Sequence, residues 1–170
     1  MKRVFIIAVL TALSFGLFAA PENKNKKREK ELDIIELLES GRFRFVAHSA
    51  IPASGKAMIN LTSDYDLRVC DTHLKAWLPF YGRIYRADPD PTDGGIKFDS
   101  SAKTFNVRYN RRKEIYEFTM VVRTPKDEYK LRLSAGISGS ASLSVSAIHR
   151  QHIYFYGNIE PLPEKYTEDF

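Results

Sequence analysis

The chain carries a single cysteine, Cys70, in 170 residues. An internal disulfide is therefore excluded, and the fold must rest on core packing alone. No Cys-x-x-Cys partner or helix start adjoins Cys70, so a buried, inert thiol is expected. Tryptophan also occurs once, as Trp77. Glycine and proline are sparse, at 9 and 8 residues, which excludes collagen-like and low-complexity chains. A long uncharged apolar run occurs only near the start, at Val4–Phe18, so a polytopic membrane protein is excluded as well. Hydrophobic residues at 44% and charged residues at 28% fit an ordinary globular domain.

Motifs that carry chemistry are missing too. Gly94-Gly95 is followed by no Lys-Ser/Thr, so it makes no phosphate loop. No G-x-S-x-G elbow surrounds Ser142, Ser144 or Ser146. His149 and His152 stand three apart, on opposite faces of an extended chain, where they cannot chelate. His48 and His73 have no ligand spacing around them. Asp88, Asp90, Asp93 and Asp99 resemble a calcium loop in composition. Yet Gly94 falls one position late for an EF-hand, and Pro89 and Pro91 stiffen the segment. We expect no metal site and no cofactor, and we name no catalytic residue.

The first twenty residues have the pattern of a secretory signal. Lys2 and Arg3 precede the apolar run, and Ala19-Ala20 follows it. The alternative is an uncleaved anchor, because Val4–Ala20 falls at the lower limit of a membrane span. Cys70 lies far from this run, which excludes lipid modification there. The expected location is the periplasm or the extracellular space, with no stable transmembrane span once the signal is removed. Losing Lys2 and Arg3 leaves 24 cations against 21 carboxylates, a charge of +3. That surplus is too small and too mixed for a nucleic-acid surface.

Residues 21–28 are polar and read as a mobile linker. From Glu29 to Ser40 apolar residues recur at helical spacing, and Gly41 supplies the stop. This predicts one amphipathic helix over 29–40, burying Leu32, Ile35 and Leu38 and leaving Lys30 and Glu36 outside. Beyond Gly41 the period falls to two. Alternating runs appear at Phe43–Phe45, Tyr65–Val69, Leu74–Leu78, Phe105–Tyr109, Tyr116–Val122, Tyr129–Leu133, Ala141–Val145 and Ile153–Gly157. Turn signals separate them roughly every 8–12 residues, the spacing of an antiparallel sandwich or barrel. The prediction is a mainly β domain over 29–170, with about eight strands in a body spanning 42–159.

Several segments of this body carry a resemblance. They are Ile59–Leu67, Leu78–Tyr85, Gly94–Phe98, Tyr129–Leu131, Ser138–Ala141 and Arg150–Gly157. In their order and spacing the chain resembles a family catalogued as domain of unknown function 4251, exported proteins mostly of Bacteroidetes. The resemblance implies export and an antiparallel β body. It implies no activity and supplies no functional residues.

One segment stands out as a place for function. In Leu74–Leu78 the apolar residues share one face, which puts Trp77 on the other. Phe80, Tyr81, Arg83 and Tyr85 follow closely. Exposed aromatics beside arginine form a stacking surface for a sugar, a peptide or a partner. The competing reading is a structural corner, with Pro79 and Gly82 bending the chain and the rings filling the core. We take Trp77, Phe80, Tyr81, Arg83 and Tyr85 as the candidate ligand-binding surface. The function expected is that of a non-catalytic envelope or secreted binding or structural module, with an unknown envelope partner or small ligand. The alternatives are a hydrolase acting on glycan or peptide in the envelope, and a carrier of a small apolar ligand.

Overall fold

Glutamate, lysine and arginine dominate the start of helix α1 (Glu22–Ser40). The computed structural model describes residues 22–55, 57–86 and 94–163. The first twenty residues, read above as a secretory signal, and Asp88, Asp90 and Asp93 lie outside the described residues. Helix α1 begins at Glu22 rather than Glu29, so nearly all of the segment read as a linker is helical. These residues have high helix propensity but no apolar stripe, and periodicity alone misses such a turn. Lys27 and Glu31, one turn apart, approach to 3.8 Å.

The docked stripe also differs from expectation. Leu38 is fully buried, Ile34 and Leu37 pack on the core, and Ile35 is half-buried. Leu32 is 66% exposed. One step of four back from Leu38 reaches Ile34, only about 40° round the helix, whereas Leu32, six residues back, lies about 120° away. Gly41, at φ +67°, ends the helix in a conformation that side chains disfavour.

Nine strands follow: β1 (Arg42–Pro52), β2 (Ile59–Cys70), β3 (His73–Leu78), β4 (Ile96–Ser101), β5 (Thr104–Asn110), β6 (Ile115–Arg123), β7 (Glu128–Gly136), β8 (Ser140–Ala147) and β9 (Ile153–Glu160). The strand beyond the expected eight is β4. It has only two apolar residues with clear alternation, Ile96 and Phe98, and follows a Pro/Asp/Gly loop. All nine form one antiparallel sheet in the order β4-β3-β2-β1-β9-β8-β7-β6-β5. The sheet curls into a half-barrel, which settles barrel against sandwich. Two meanders, β1–β4 and β5–β9, meet at a central ladder between β1 and β9. Ala102 and Lys103 alone carry the chain from one sheet edge to the other. Ala102 N–H donates to Thr72 O, and Lys103 N–H to Val121 O, each at 2.7 Å.

Strand β1 shifts register between Ala47 and Ser49, a bulge that increases local twist. Beside it Gly157 pairs with Ala47, and a Cβ there would sit 1.8 Å from the Val46 carbonyl oxygen. Only glycine fits so close an approach.

Alternation sends one face of each strand inward. Phe43, Phe45, Phe118, Phe155, Met120 and Leu131 are fully buried there. Phe43 and Phe118 meet edge to face at 5.2 Å, and Phe98 stacks on Tyr129 at 5.2 Å. Cys70 is buried. Helix α1 covers the end of the half-barrel where β1 begins, with Ile34 against Gly139. At the opposite end the Asp127 carboxylate accepts the amides of Glu128 at 2.9 Å, Ile148 at 3.0 Å and His149 at 3.3 Å. Arg150 Nη1 donates there to Gly94 O and Gly95 O, at 3.2 and 2.7 Å. Among the described residues, no helix is long and apolar enough to cross a membrane.

Candidate functional site

Strand β3 has the predicted parity. Leu74, Ala76 and Leu78 point inward and are buried, and Trp77 on the outer face is 58% exposed. Strand pairing then decides its neighbours. Asp66 on β2 and Lys97 on β4 lie directly across from Trp77. One row along the strands, Lys75 lies between Arg68 and Asp99. Beyond that, His73 sits opposite Ser101.

These side chains order one another. Arg68 Nε donates to Asp66 Oδ2 at 2.8 Å, and both groups are largely buried. Lys75 Nζ lies 2.8 Å from Asp99 Oδ2, and His73 Nε2 lies 2.7 Å from Asp99 Oδ1. The hydrogen bond from Lys75, then that from His73, holds the Asp99 carboxyl below the usual carboxylate range. Asp99 is thus a strand residue bound to two bases, not part of the acidic loop in which the sequence placed it. Lys97 Nζ stands 5.0 Å from the centre of the Trp77 ring, within cation–π range. A shallow concavity of about 490 Å³ opens here, lined by Asp66, Arg68, Lys75, Trp77, Lys97 and Asp99 among others.

The other four candidates lie elsewhere, and none of them lines this concavity. Phe80 and Tyr81 are half-buried and pack on the core. The Arg150 guanidinium lies 5.4 Å from the Phe80 ring centre. A side chain at Gly82 would come within 2.9 Å of that ring. Past this corner the chain straps onto the β8–β9 connection. Gln151 N–H donates to Arg83 O at 2.9 Å, and Tyr85 N–H to His149 O at 2.7 Å. Arg83 and Tyr85 are exposed on the strap.

The sequence singled out Trp77 but none of the charged residues around it as site members. Their proximity is a matter of register between strands, which no local pattern carries.

The serine face of β8 holds a second polar cluster. Ser146 Oγ lies 2.7 Å from His152 Nδ1, and Ser144 Oγ lies 3.3 Å from Nε2. Burial, and then the charge of Arg132, lower the His152 pKa. Hydroxyls occupy both ring nitrogens, whereas a hydrolytic base needs one nitrogen on the nucleophile and the other on an orienting group. Among the described residues, no group of three His, Cys, Asp or Glu is placed to hold a metal ion.

Comparison with known proteins bears on the family. No curated protein matches the chain. A crystal structure of a DUF4251 family protein from Bacteroides eggerthii superposes with a TM-score of 0.63 at 13% identity, covering 81% of this chain and 91% of that one. At that identity the likeness shows a shared fold. The family model for the domain of unknown function DUF4251 matches residues 25–159, from within α1 to the end of the sheet. The chain belongs to the DUF4251 family.

Proposed function

We propose that this protein is an exported, non-catalytic binding module of the cell envelope that takes its ligand on the outer face of β2, β3 and β4. The observation that carries this reading is Trp77, exposed at 58% on the outer face of β3, between β2 and β4. A side chain of that size is seldom left in water, and tryptophan is enriched in binding hot spots. Around it the Asp66–Arg68 pair and the Lys75–Asp99–His73 cluster present polar groups in fixed positions. A flat indole ringed by ordered donors and acceptors suits a saccharide. The apolar face of a sugar ring stacks on the indole, and its hydroxyls meet the charged groups. Export is supported by the positive start and apolar run of the first twenty residues.

The geometry favours binding over hydrolysis. Asp66 and Asp99 are each tied to cations, and the concavity is open to water. A catalytic carboxylate pair needs separated pKa values and a shielded site. The carrier reading gains no support from the interior, where large side chains fill the inward face.

Fluorescence tests the proposal, because Trp77 is the only tryptophan. Titration with envelope-derived polysaccharide should shift and quench its emission, and Trp77→Ala should abolish retention on a polysaccharide column. Unchanged emission at saturating polysaccharide, together with equal retention of wild type and variant, would reject the saccharide site.

A further inference from the structure

The sheet ends at β5, and β5 is unlike the other edge. On β4 the inward residues Ile96 and Phe98 are buried. On β5 the same inward face is open: Val107 is 49% and Tyr109 42% exposed, although they pair with the buried Phe118 and Tyr116. Among the described residues β5 pairs only with β6, so alternate N–H and C=O groups along its other side have no strand partner. Natural edges are usually blunted by a proline, a bulge or an inward-pointing charge. Strand β5 contains no proline, its ladder has no register shift, and its inward residues Phe105, Val107 and Tyr109 are uncharged.

Beside this edge runs an apolar groove of about 490 Å³, between β5 and the last turn of α1. Leu38, Phe105, Val107 and Phe118 line it. Two carboxylates stand on its rim, and both are engaged. Glu39 accepts the Tyr116 hydroxyl at 2.8 Å, and Asp71 lies 3.9 Å from Arg42. The surrounding charge has one dominant sign. Within the β5–β6 hairpin Arg108, Arg111, Arg112, Lys113 and Arg123 stand against only Glu114 and Glu117. The turn that presents three of these cations is fixed, because Asn110 Oδ1 accepts the amides of Arg112 at 3.2 Å and Lys113 at 3.3 Å.

We propose that β5 accepts an extended segment of a partner protein as a tenth strand, one in which apolar residues alternate with acidic ones. Main-chain bonds to the free edge give this mode its affinity, and alternate side chains give it specificity. The apolar residues of the segment enter the groove over Val107 and Leu38. Its carboxylates lie on the outer side, toward Arg108 and the Arg111–Lys113 turn. The charge also argues against a second copy of this chain as the occupant. Two β5 edges brought together would place cation beside cation, which destabilises a strand pair.

The probe is a blocked eight-residue peptide of alternating valine and glutamate, with a matched valine–lysine peptide as control. Amide NMR of the labelled chain should show slowed hydrogen exchange within Phe105–Tyr109 on adding the glutamate peptide, and none with the lysine peptide. Arg108→Glu should weaken binding by about tenfold or more, as charge reversal at an interface does. Val107→Asp, at an exposed position, should remove binding while leaving the spectrum folded. Trp77→Ala, on another face, should change nothing. Absence of protection in β5, equal binding of both peptides, or protection that grows with the concentration of unlabelled chain alone would each overturn the proposal. The last of these outcomes would make the occupant a second copy.

Discussion

The Tyr116 hydroxyl donates to Glu39 Oε1 at 2.8 Å, fastening the last turn of α1 to the start of β6. Burial, with Glu39 beside it, pushes the Tyr116 pKa up to about 12. The folded state therefore keeps a proton that the unfolded chain releases near 10. Stability from this group is intact below pH 10 and is lost as pH rises from about 10 to about 12. Urea midpoints measured across that window should fall more steeply for the wild type than for Tyr116→Phe. Equal slopes would show that the hydroxyl does not couple helix to sheet.

The docked stripe of α1 gives a paired test. Leu38 is fully buried, so Leu38→Ala should cost about 2–5 kcal/mol. Leu32 is exposed, so Leu32→Ala should stay within about 0.5 kcal/mol. Chemical denaturation distinguishes the two, and equally large losses at both positions would return the helix to the face that simple periodicity predicts.

Asp127 joins the β6–β7 turn to the β8–β9 connection by accepting three amides. Asp127→Ala leaves those donors without their acceptor, at a cost of about 1–3 kcal/mol. Asp127→Asn keeps one acceptor oxygen and should recover part of the loss. Calorimetric unfolding of both variants checks the order.

Gly157→Ala drives a methyl group into the Val46 carbonyl. The expected loss is about 3 kcal/mol or more, at the upper end of overpacking penalties. Gly94→Ala, with no atom within 4 Å of its added Cβ, serves as the neutral control. Comparable stability of the two variants would mean that the β1–β9 ladder tolerates a shift that the Gly157–Val46 spacing forbids.

Trp77 should emit at long wavelength and be quenched by acrylamide in the free protein, consistent with its exposure. Trp77 is exposed and its ring meets the exposed Lys97, so Trp77→Ala should cost only about 0.5–1 kcal/mol of stability. Blue emission shielded from quencher would place the indole in the interior and remove the basis of the saccharide site.

Much of this architecture is written in local pattern. Eight strands announce themselves by alternation, and the parity of Leu74, Ala76 and Leu78 alone turns Trp77 outward. Strand β4 escapes because Ile96 and Phe98 are too few to establish a period beside a loop rich in proline and aspartate. The polar residues around Trp77 escape for a different reason. Asp66 and Lys97 become its neighbours through two inter-strand registers, set by turns and by pairing across the whole sheet. For Phe80 and Tyr81 the sequence offered both an exposed stacking surface and a core-filling corner, and packing on the core, with Arg150 brought to Phe80 from far along the chain, decides for the corner.

The central position of the β1–β9 ladder has a consequence for the order of folding. Each meander is built from contacts between neighbours in sequence, and such hairpins form quickly. Arg44 must find Glu160, and Pro52 must find Ile153, across nearly the whole body of the domain. Closing so long a loop is the entropically slow step. During synthesis the first four strands have no partner for the free side of β1 until the last strand has left the ribosome. The chain can therefore hold two half-sheets but not a finished sheet until β9 has emerged, and through all of that interval the open side of β1 is the one inner strand edge waiting for its partner.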